Sequence, residues 1–431
     1  MANEGAQREL ATSQTRRGFL GQAGGAAGAL AGALSGATSL TRTVFGDSLG
    51  QVPETIKIVS ALPLTGSAYV QSSTMVAAIR MAIEEVERRA GPFVVEYEPW
   101  DDATAAAGQW DPAKVAELAN RAAGDTNVMV YIGHYNSGAA KIAIPVLNQA
   151  GLVMISPANT YPALTKPGKG DPGEPEVYYP MGVRNYSRVV PADDLQGAVG
   201  ASFAQRLGAR SVFVIDDTQL YGKGIADVFA ATAQRLGMTV AGRDGIDYRA
   251  ADFRALATRI RASRPDVVYF GGTTETAAGK LIKDIRGAGI SVPFIVPDGV
   301  QNAAYFSDAG DDAEGTYASF GGLPVSAYDG AQAAWAQRYR DTTGTDPQPY
   351  AIYAYEAAKV ALAAIERAGV KDREAIRQAV MTTRDFSGVL GTWSFDDNGD
   401  TSLTTMSISQ AQRGQGGQWI WGLVEVLEAP A

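Results

Sequence analysis

Apolar positions along this chain fall into short runs that stop abruptly, each followed by a longer stretch of helical period. Val128–Ile132 ends at Gly133, and the polar turn GHYNSGAA (133–140) leads into a periodic segment, 141–150. Leu152–Ile155 repeats the arrangement and ends in Ser156-Pro157-Ala158-Asn159-Thr160. Uninterrupted apolar runs of this length predict strands buried on both faces, as in a parallel sheet. Further strands are predicted at 56–62, 93–98, 211–215, 238–241, 267–270 and 293–296. Helical period fills 75–89, 112–123, 196–206, 225–236, 253–262 and 277–286. Asp111 before Pro112 offers an N-cap with proline at the first helical position. Such alternation predicts parallel sheets with helices on both faces. Ligands of open α/β sheets collect beyond the carboxyl ends of strands, where helix N-termini present free N–H groups. The turns at 133–140 and 155–160 are therefore expected to form one wall of a site for a small, partly anionic molecule.

Two features break the alternation. The stretch KPGKGDPGEPE (166–176) is too rich in proline and glycine for regular structure. Beyond Thr316 the pattern turns to long helices (327–340, 350–367, 373–381) and then to a β-rich tail. That tail holds 391–395, a turn at 396–400 and 419–426.

A chain of 431 residues, 46% of them hydrophobic, is long enough for two cores, so two lobes are expected. Its 37 basic and 46 acidic residues include no basic cluster, which argues against a nucleic-acid partner. Cysteine is absent, removing disulfides, thiolate nucleophiles and cysteine-based zinc sites. His134 is the one histidine, so a serine hydrolase would depend on that residue alone. Thr15-Arg16-Arg17-Gly18-Phe19-Leu20, a Gly/Ala run from Gly21 to Leu34 and Ser35-Gly36-Ala37 together match a twin-arginine export signal over 1–37. Its apolar run is too short and weak for a lasting membrane span. Residues 38–54 then form a linker, and the mature protein is expected to be soluble and periplasmic.

Motifs for cofactors and catalysis fail on inspection. Tyr221-Gly222-Lys223-Gly224 lacks the third glycine of a dinucleotide fold. Ala277-Ala278-Gly279-Lys280-Leu281 lacks the first glycine and the hydroxyl residue of a P-loop. Asp396 to Asp400 has no glutamate at the twelfth position of a calcium loop and reads as a hairpin turn. No G-x-S-x-G elbow occurs. No cofactor and no metal site is expected.

GHYNSGAA, ISPANT and Ala163-Leu164-Thr165 resemble the first-lobe signature of periplasmic leucine/isoleucine/valine-binding proteins. The similarity continues through Val214-Ile215-Asp216-Asp217, Tyr221-Gly222-Lys223-Gly224, Val268-Tyr269-Phe270-Gly271-Gly272, Val296-Pro297-Asp298-Gly299-Val300 and Asp312-Ala313-Glu314-Gly315, covering about residues 55 to 427. The resemblance implies an α/β fold of two doubly wound parallel-sheet lobes joined by three crossovers. The crossings would fall near 188–193, 321–325 and 383–389. Lobe I would then comprise 55–190 plus 325–385, and lobe II 191–322 plus 386–427.

The same resemblance implies a site. Ser137 and Thr160 match the hydroxyls that hold a ligand carboxylate, with Ala158 lending backbone and Asn159 in the same wall. An ordinary N-cap and a turn residue are the other roles these two hydroxyls suit. Asp298 aligns with the second-lobe acid that takes the α-ammonium, an exposed turn aspartate being its alternative. Tyr221 would cover the ligand, Tyr69 would line the side-chain pocket, and Asp193 is a further polar candidate near the first crossover. Thr273 and Glu275 stand where relatives place an aromatic residue, a departure that weakens a strictly branched-chain ligand. The implied function is the substrate-binding component of an ABC importer, not an enzyme. It would bind a branched-chain-like amino acid or related small carboxylate by lobe closure and pass it to a membrane permease. An exported amide or ester hydrolase and a ligand sensor docking on a membrane receptor are the competing readings.

Overall fold

A computed structural model describes residues 53–428. The export signal expected over 1–37 and most of the linker lie outside the described residues. The first sheet holds β1 (Thr55–Leu62), β2 (Arg89–Ala90), β3 (Phe93–Asp101), β4 (Val128–Gly133), β5 (Val153–Ser156) and β6 (Tyr186–Arg188). Its order is β2-β3-β1-β4-β5-β6, parallel throughout except for the short β2. Every residue of β4 and β5 is buried, as continuous apolar runs require when both faces are covered.

Side chains alternate between two layers. Ile56 and Ile58 of β1 pack with α1 (Tyr69–Glu84), whereas Val59 and Ala61 pack with α2 (Pro112–Gly124) and α3 (Ser137–Gln149). The second sheet starts after α4 (Asp193–Arg206) with β7 (Ser211–Asp216), β8 (Thr239–Gly245), β9 (Val267–Gly271), β10 (Phe294–Val296) and β11 (Thr316–Gly321). Helices α4 and α5 (Leu220–Arg235) cover one face. The other is covered by α6 (Arg254–Ser263), α7 (Ala278–Gly287) and α8 (Ala303–Ala309).

The chain then returns to the first core. Trp335 and Tyr339 of α9 (Gly330–Thr343), the buried side of α10 (Ala351–Ala368) and Val380 of α11 (Arg373–Met381) pack with α1. The hairpin of β12 (Phe386–Gly388) and β13 (Gly391–Trp393) stays there too. Phe386 and Val389, within the segment expected as the third crossing, pack against the first core. Trp393 Nε1 donates to the buried Glu356 at 2.8 Å, and Trp393 and Phe395 belong to the first core. Only β14 (Thr405–Arg413) and β15 (Trp419–Glu428) join the second sheet, antiparallel at one edge, in the order β15-β14-β11-β10-β9-β7-β8.

Gly222 and Gly271 explain the glycine motifs that matched no cofactor fold. A Cβ on Gly271 would stand 2.2 Å from the Gly222 carbonyl oxygen, so helix α5 starts in backbone contact with the end of β9. That approach sets the position of Tyr221.

Candidate functional site

Strand ends of both sheets meet at one closed space of about 20 Å³. Tyr135, Asn136 and Ser137 follow β4, Ala158 follows β5, and Tyr350 immediately precedes α10. From the second sheet come Tyr221 after β7, Thr273 after β9, and Asp298 with Gly299 after β10. All but Tyr350 lie beyond the carboxyl end of a strand, where an α/β sheet places its ligands.

The turn at 156–160 is held rigidly. Ser156 Oγ accepts from the backbone N–H groups of Ala158 (3.2 Å) and Asn159 (2.8 Å). Asn159 stitches the two turns together, accepting from the His134 N–H at 3.3 Å and donating to the Tyr135 carbonyl at 3.0 Å. Ser137 Oγ accepts from the Tyr161 N–H at 3.3 Å. Beneath them the fully buried Arg188 donates to the carbonyls of Asn159 (3.2 Å) and Tyr161 (2.8 Å) and pairs with Asp400 at 2.6 Å. Thr160 closes the turn; its carbonyl accepts from the Asp193 N–H at 2.9 Å, and its buried hydroxyl has no hydrogen-bond partner.

The opposite wall is acidic. Asp298, only 4% exposed, accepts from Gln196 Nε2 at 2.6 Å and Tyr221 at 2.5 Å, and from the Tyr350 hydroxyl across the cleft. Burial pushes its carboxyl up to about 6 despite the Tyr221 and Gln196 donors. Asp193 is fully buried at the start of α4, and neither carboxylate oxygen has a hydrogen-bond partner. Burial and the charge of Asp298 hold it well above the usual carboxylate range. The neighbouring Thr160 hydroxyl opposes the shift without reaching hydrogen-bond geometry. Burying carboxylates is costly unless a cation joins them, and among the described residues no lysine or arginine lines the space. A ligand cation, such as an ammonium, would find both acids waiting.

Of the residues expected at the site, Ser137, Ala158, Tyr221, Thr273 and Asp298 line the space. Asp298 is a buried acid, not an exposed turn residue. Thr160 and Asp193 are fully buried and joined to each other, and Asn159 acts through the two turns. Tyr69 stands apart from this space. Helix α1 begins at Tyr69, six residues earlier than its apolar period predicts, and the side chain is 54% exposed. It lines a separate groove with Val76, Arg80 and Arg338, between α1 and α9.

Tyr135 and Asn136 belong to the turn at 133–140 expected as one wall, though not singled out there; Tyr350 and Gln196 were missed. Gln196 stands three residues after Asp193, hence on the same helix face, which is a usable signal. Tyr350 follows Pro347 and Pro349 and reads as an ordinary core aromatic.

His134 has the partners of a relay but not the access. Its Nδ1 lies 2.5 Å from Asp102 and its Nε2 3.1 Å from the Tyr131 hydroxyl, and all three residues are fully buried. Both ring nitrogens are occupied and burial pushes the Tyr131 hydroxyl well above its ordinary value, so the histidine activates no accessible nucleophile.

Known proteins share the family and the fold. A periplasmic binding protein family model matches residues 55–418. A Leu/Ile/Val-binding protein homolog of Brucella abortus is 30% identical over 362 residues, covering 83% of this chain and 90% of its own. A leucine-, isoleucine-, valine-, threonine- and alanine-binding protein of Pseudomonas aeruginosa is 29% identical, covering 82% and 89%. Among solved structures, a leucine binding protein of Thermotoga maritima superposes with a TM-score of 0.75 at 26% identity, covering 86% of this chain and 99% of that one. A Rhodopseudomonas palustris solute binding protein in complex with 4-hydroxybenzoate shares the fold, with a TM-score of 0.75, 18% identity and coverage of 88% and 98%. The chain belongs to the type I periplasmic binding protein family, that of the Leu/Ile/Val-binding proteins.

Proposed function

We propose that this protein is the substrate-binding component of an ABC importer and closes on an α-amino acid. Ser137, Thr160 and the start of α3 take the carboxylate, where a helix N-terminus favours an anion. Asp298, backed by Asp193, takes the ammonium. The observation that carries this reading is Asp298: a buried acid with no cationic partner, placed across the closed space from Ser137 and Ala158. The same feature disfavours an aromatic carboxylate of the hydroxybenzoate type, which would bring a second anion and no ammonium.

Closure follows from contacts that span the cleft. Gln109 Nε2 donates to Tyr248 at 2.6 Å, Gln219 Nε2 to Gln109 at 3.1 Å, and Trp110 Nε1 to Gln219 at 3.3 Å. Lys166, at the start of the Pro/Gly-rich loop, pairs with Asp194 of α4 at 3.0 Å. A ligand that touches both walls shifts the population toward this arrangement. The lobes in this account are 55–190 with 325 to about 400, and 191–322 with the remainder. Residues 1–37 direct export to the periplasm, where the closed form meets a permease; the mass of the mature protein tests the cleavage site. Among the described residues no helix is long and apolar enough to cross a membrane. A thermal-shift screen of amino acids and small carboxylates tests the whole reading, because a tight ligand raises Tm by mass action. No shift with any of them would remove its support.

A further inference from the structure

Neither the Pro/Gly-rich loop at 166–176 nor Gly224 lines the ligand space, yet both close on one side chain, that of Tyr161. Tyr161 follows the turn at 156–160 and its backbone is fixed there. Its N–H donates to Ser137 Oγ at 3.3 Å, and its carbonyl accepts from Arg188 at 2.8 Å. Its hydroxyl donates to Glu174 of the loop at 2.9 Å. Glu174, only 6% exposed, also accepts from Lys141 Nζ at 2.9 Å, from the Asp171 N–H at 3.0 Å and from the Tyr178 hydroxyl. The loop therefore folds onto one buried carboxylate and grips the far end of the Tyr161 ring. A Cβ on Gly170 would overlap the Tyr161 hydroxyl and Glu174, so the loop leaves the ring no room to retreat on that side.

Helix α5 meets the ring from the other side. A Cβ on Gly224 would stand 2.8 and 2.9 Å from two carbons of the Tyr161 ring, well inside ordinary carbon–carbon contact. Gly224 lies three residues beyond Tyr221, hence beside it on the same helix face, and Tyr221 donates to Asp298. Leu220, four residues before Gly224, packs against the core of the first sheet. Along the rest of this flank the loop stands off α5 across a crevice of about 620 Å³, with Lys169 and Asp171 on one side and Lys223 and Asp227 on the other. Tyr161 is thus a braced stop carried by the Ser137 wall, and α5 carries the Tyr221 and Asp298 wall up against it. We propose that Tyr161 and Gly224 are positioning residues that set the width of the ligand site. Glycine at 224 lets the second wall approach far enough for one ligand to touch both. This rests on the amino-acid reading of the same site.

Calorimetry with the standard L-amino acids on wild type, Gly224→Val, Tyr161→Ala and the double variant tests it. Valine suits a helix at least as well as glycine, so Gly224→Val should unfold without ligand at the same or a higher temperature than wild type. The amino acid that binds wild type most tightly should bind Gly224→Val about tenfold or more weakly, mainly through faster release. In the Tyr161→Ala background, where the ring is gone, the same change at 224 should cost less than about threefold. Small-angle scattering at a saturating concentration of that amino acid should give Gly224→Val a larger radius of gyration than wild type. Affinity within about threefold of wild type overturns the assignment. So does a loss undiminished in the Tyr161→Ala background, or a Gly224→Val protein that closes as fully as wild type. If no amino acid binds the wild type, the amino-acid reading fails and this inference with it. Tight binding that is indifferent to Gly224→Val overturns this inference alone.

Discussion

Replacing Asp298 by asparagine keeps the shape of the side chain and removes its charge. Burial raises the Asp298 carboxyl from 3.8 to about 6. A shift of about two units corresponds to about 3 kcal/mol, which the unliganded protein bears once the group ionises. The sign is fixed by linkage. With its folded value raised, Asp298 contributes stability below about pH 4 that is lost as the pH rises through about 6. A ligand ammonium relieves that cost, so Asp298→Asn should lose up to about 3 kcal/mol of amino-acid affinity, roughly 150-fold. The lower bound is set by one charge-assisted hydrogen bond, about 1.5 kcal/mol or roughly tenfold. Asparagine bears no ionisation cost, so the unliganded variant should unfold at the same or a higher temperature than wild type near neutral pH. Calorimetry and thermal unfolding on the two proteins read both effects. An affinity within about threefold of wild type would refute the ammonium assignment.

Three further outcomes follow from the same geometry. Affinity for an amino acid should fall as the pH drops through about 6, by up to about tenfold per unit below it, as Asp298 protonates, with Asp193 adding to the dependence; titration in buffers of different ionisation enthalpy counts the protons, and a pH-independent Kd would contradict it. Gln219→Ala removes hydrogen bonds to both Gln109 and Trp110, each contributing about 0.5–1.5 kcal/mol, so ligand release followed by tryptophan fluorescence should quicken severalfold; an unchanged rate would show that these contacts do not hold the closed form. Arg188→Leu leaves Asp400 with only Lys166 at 3.9 Å and the Thr165 hydroxyl, leaves three carbonyls without their donor, and should cost about 3 kcal/mol in urea unfolding; a loss below about 1 kcal/mol would mean the turn at 159–162 does not depend on it.

The sequence made the central strands and the two polar turns legible, because β4 and β5 are apolar from end to end and stop at residues that break strands. It hid β6, because Tyr186-Ser187-Arg188 reads as a polar surface segment. The arginine is buried only because Asp400, more than two hundred residues away, comes to meet it. Strand β14 was hidden for a similar reason: Ser407 and Ser409 are buried polar residues inside it and blur the apolar period. At the site, single residues at strand ends (Ser137, Ala158, Tyr221, Asp298) could be placed by their motifs. Tyr135 and Tyr350, whose rings meet at 5.7 Å, come from distant segments brought together by tertiary packing, which no local pattern encodes. Phe386 and Trp393 read in sequence as ordinary strand residues, while the buried acceptor of Trp393, Glu356, looks like a surface helix position, so their place in the first core could not be read locally.

Native mass spectrometry of the protein purified without added ligand tests the central claim most directly, because it reports stoichiometry and the mass of what the cleft holds. The account predicts a one-to-one complex that releases an intact α-amino acid on activation, and loss of that complex in Asp298→Asn. A released molecule without an amine, or an unchanged complex in Asp298→Asn, would contradict it.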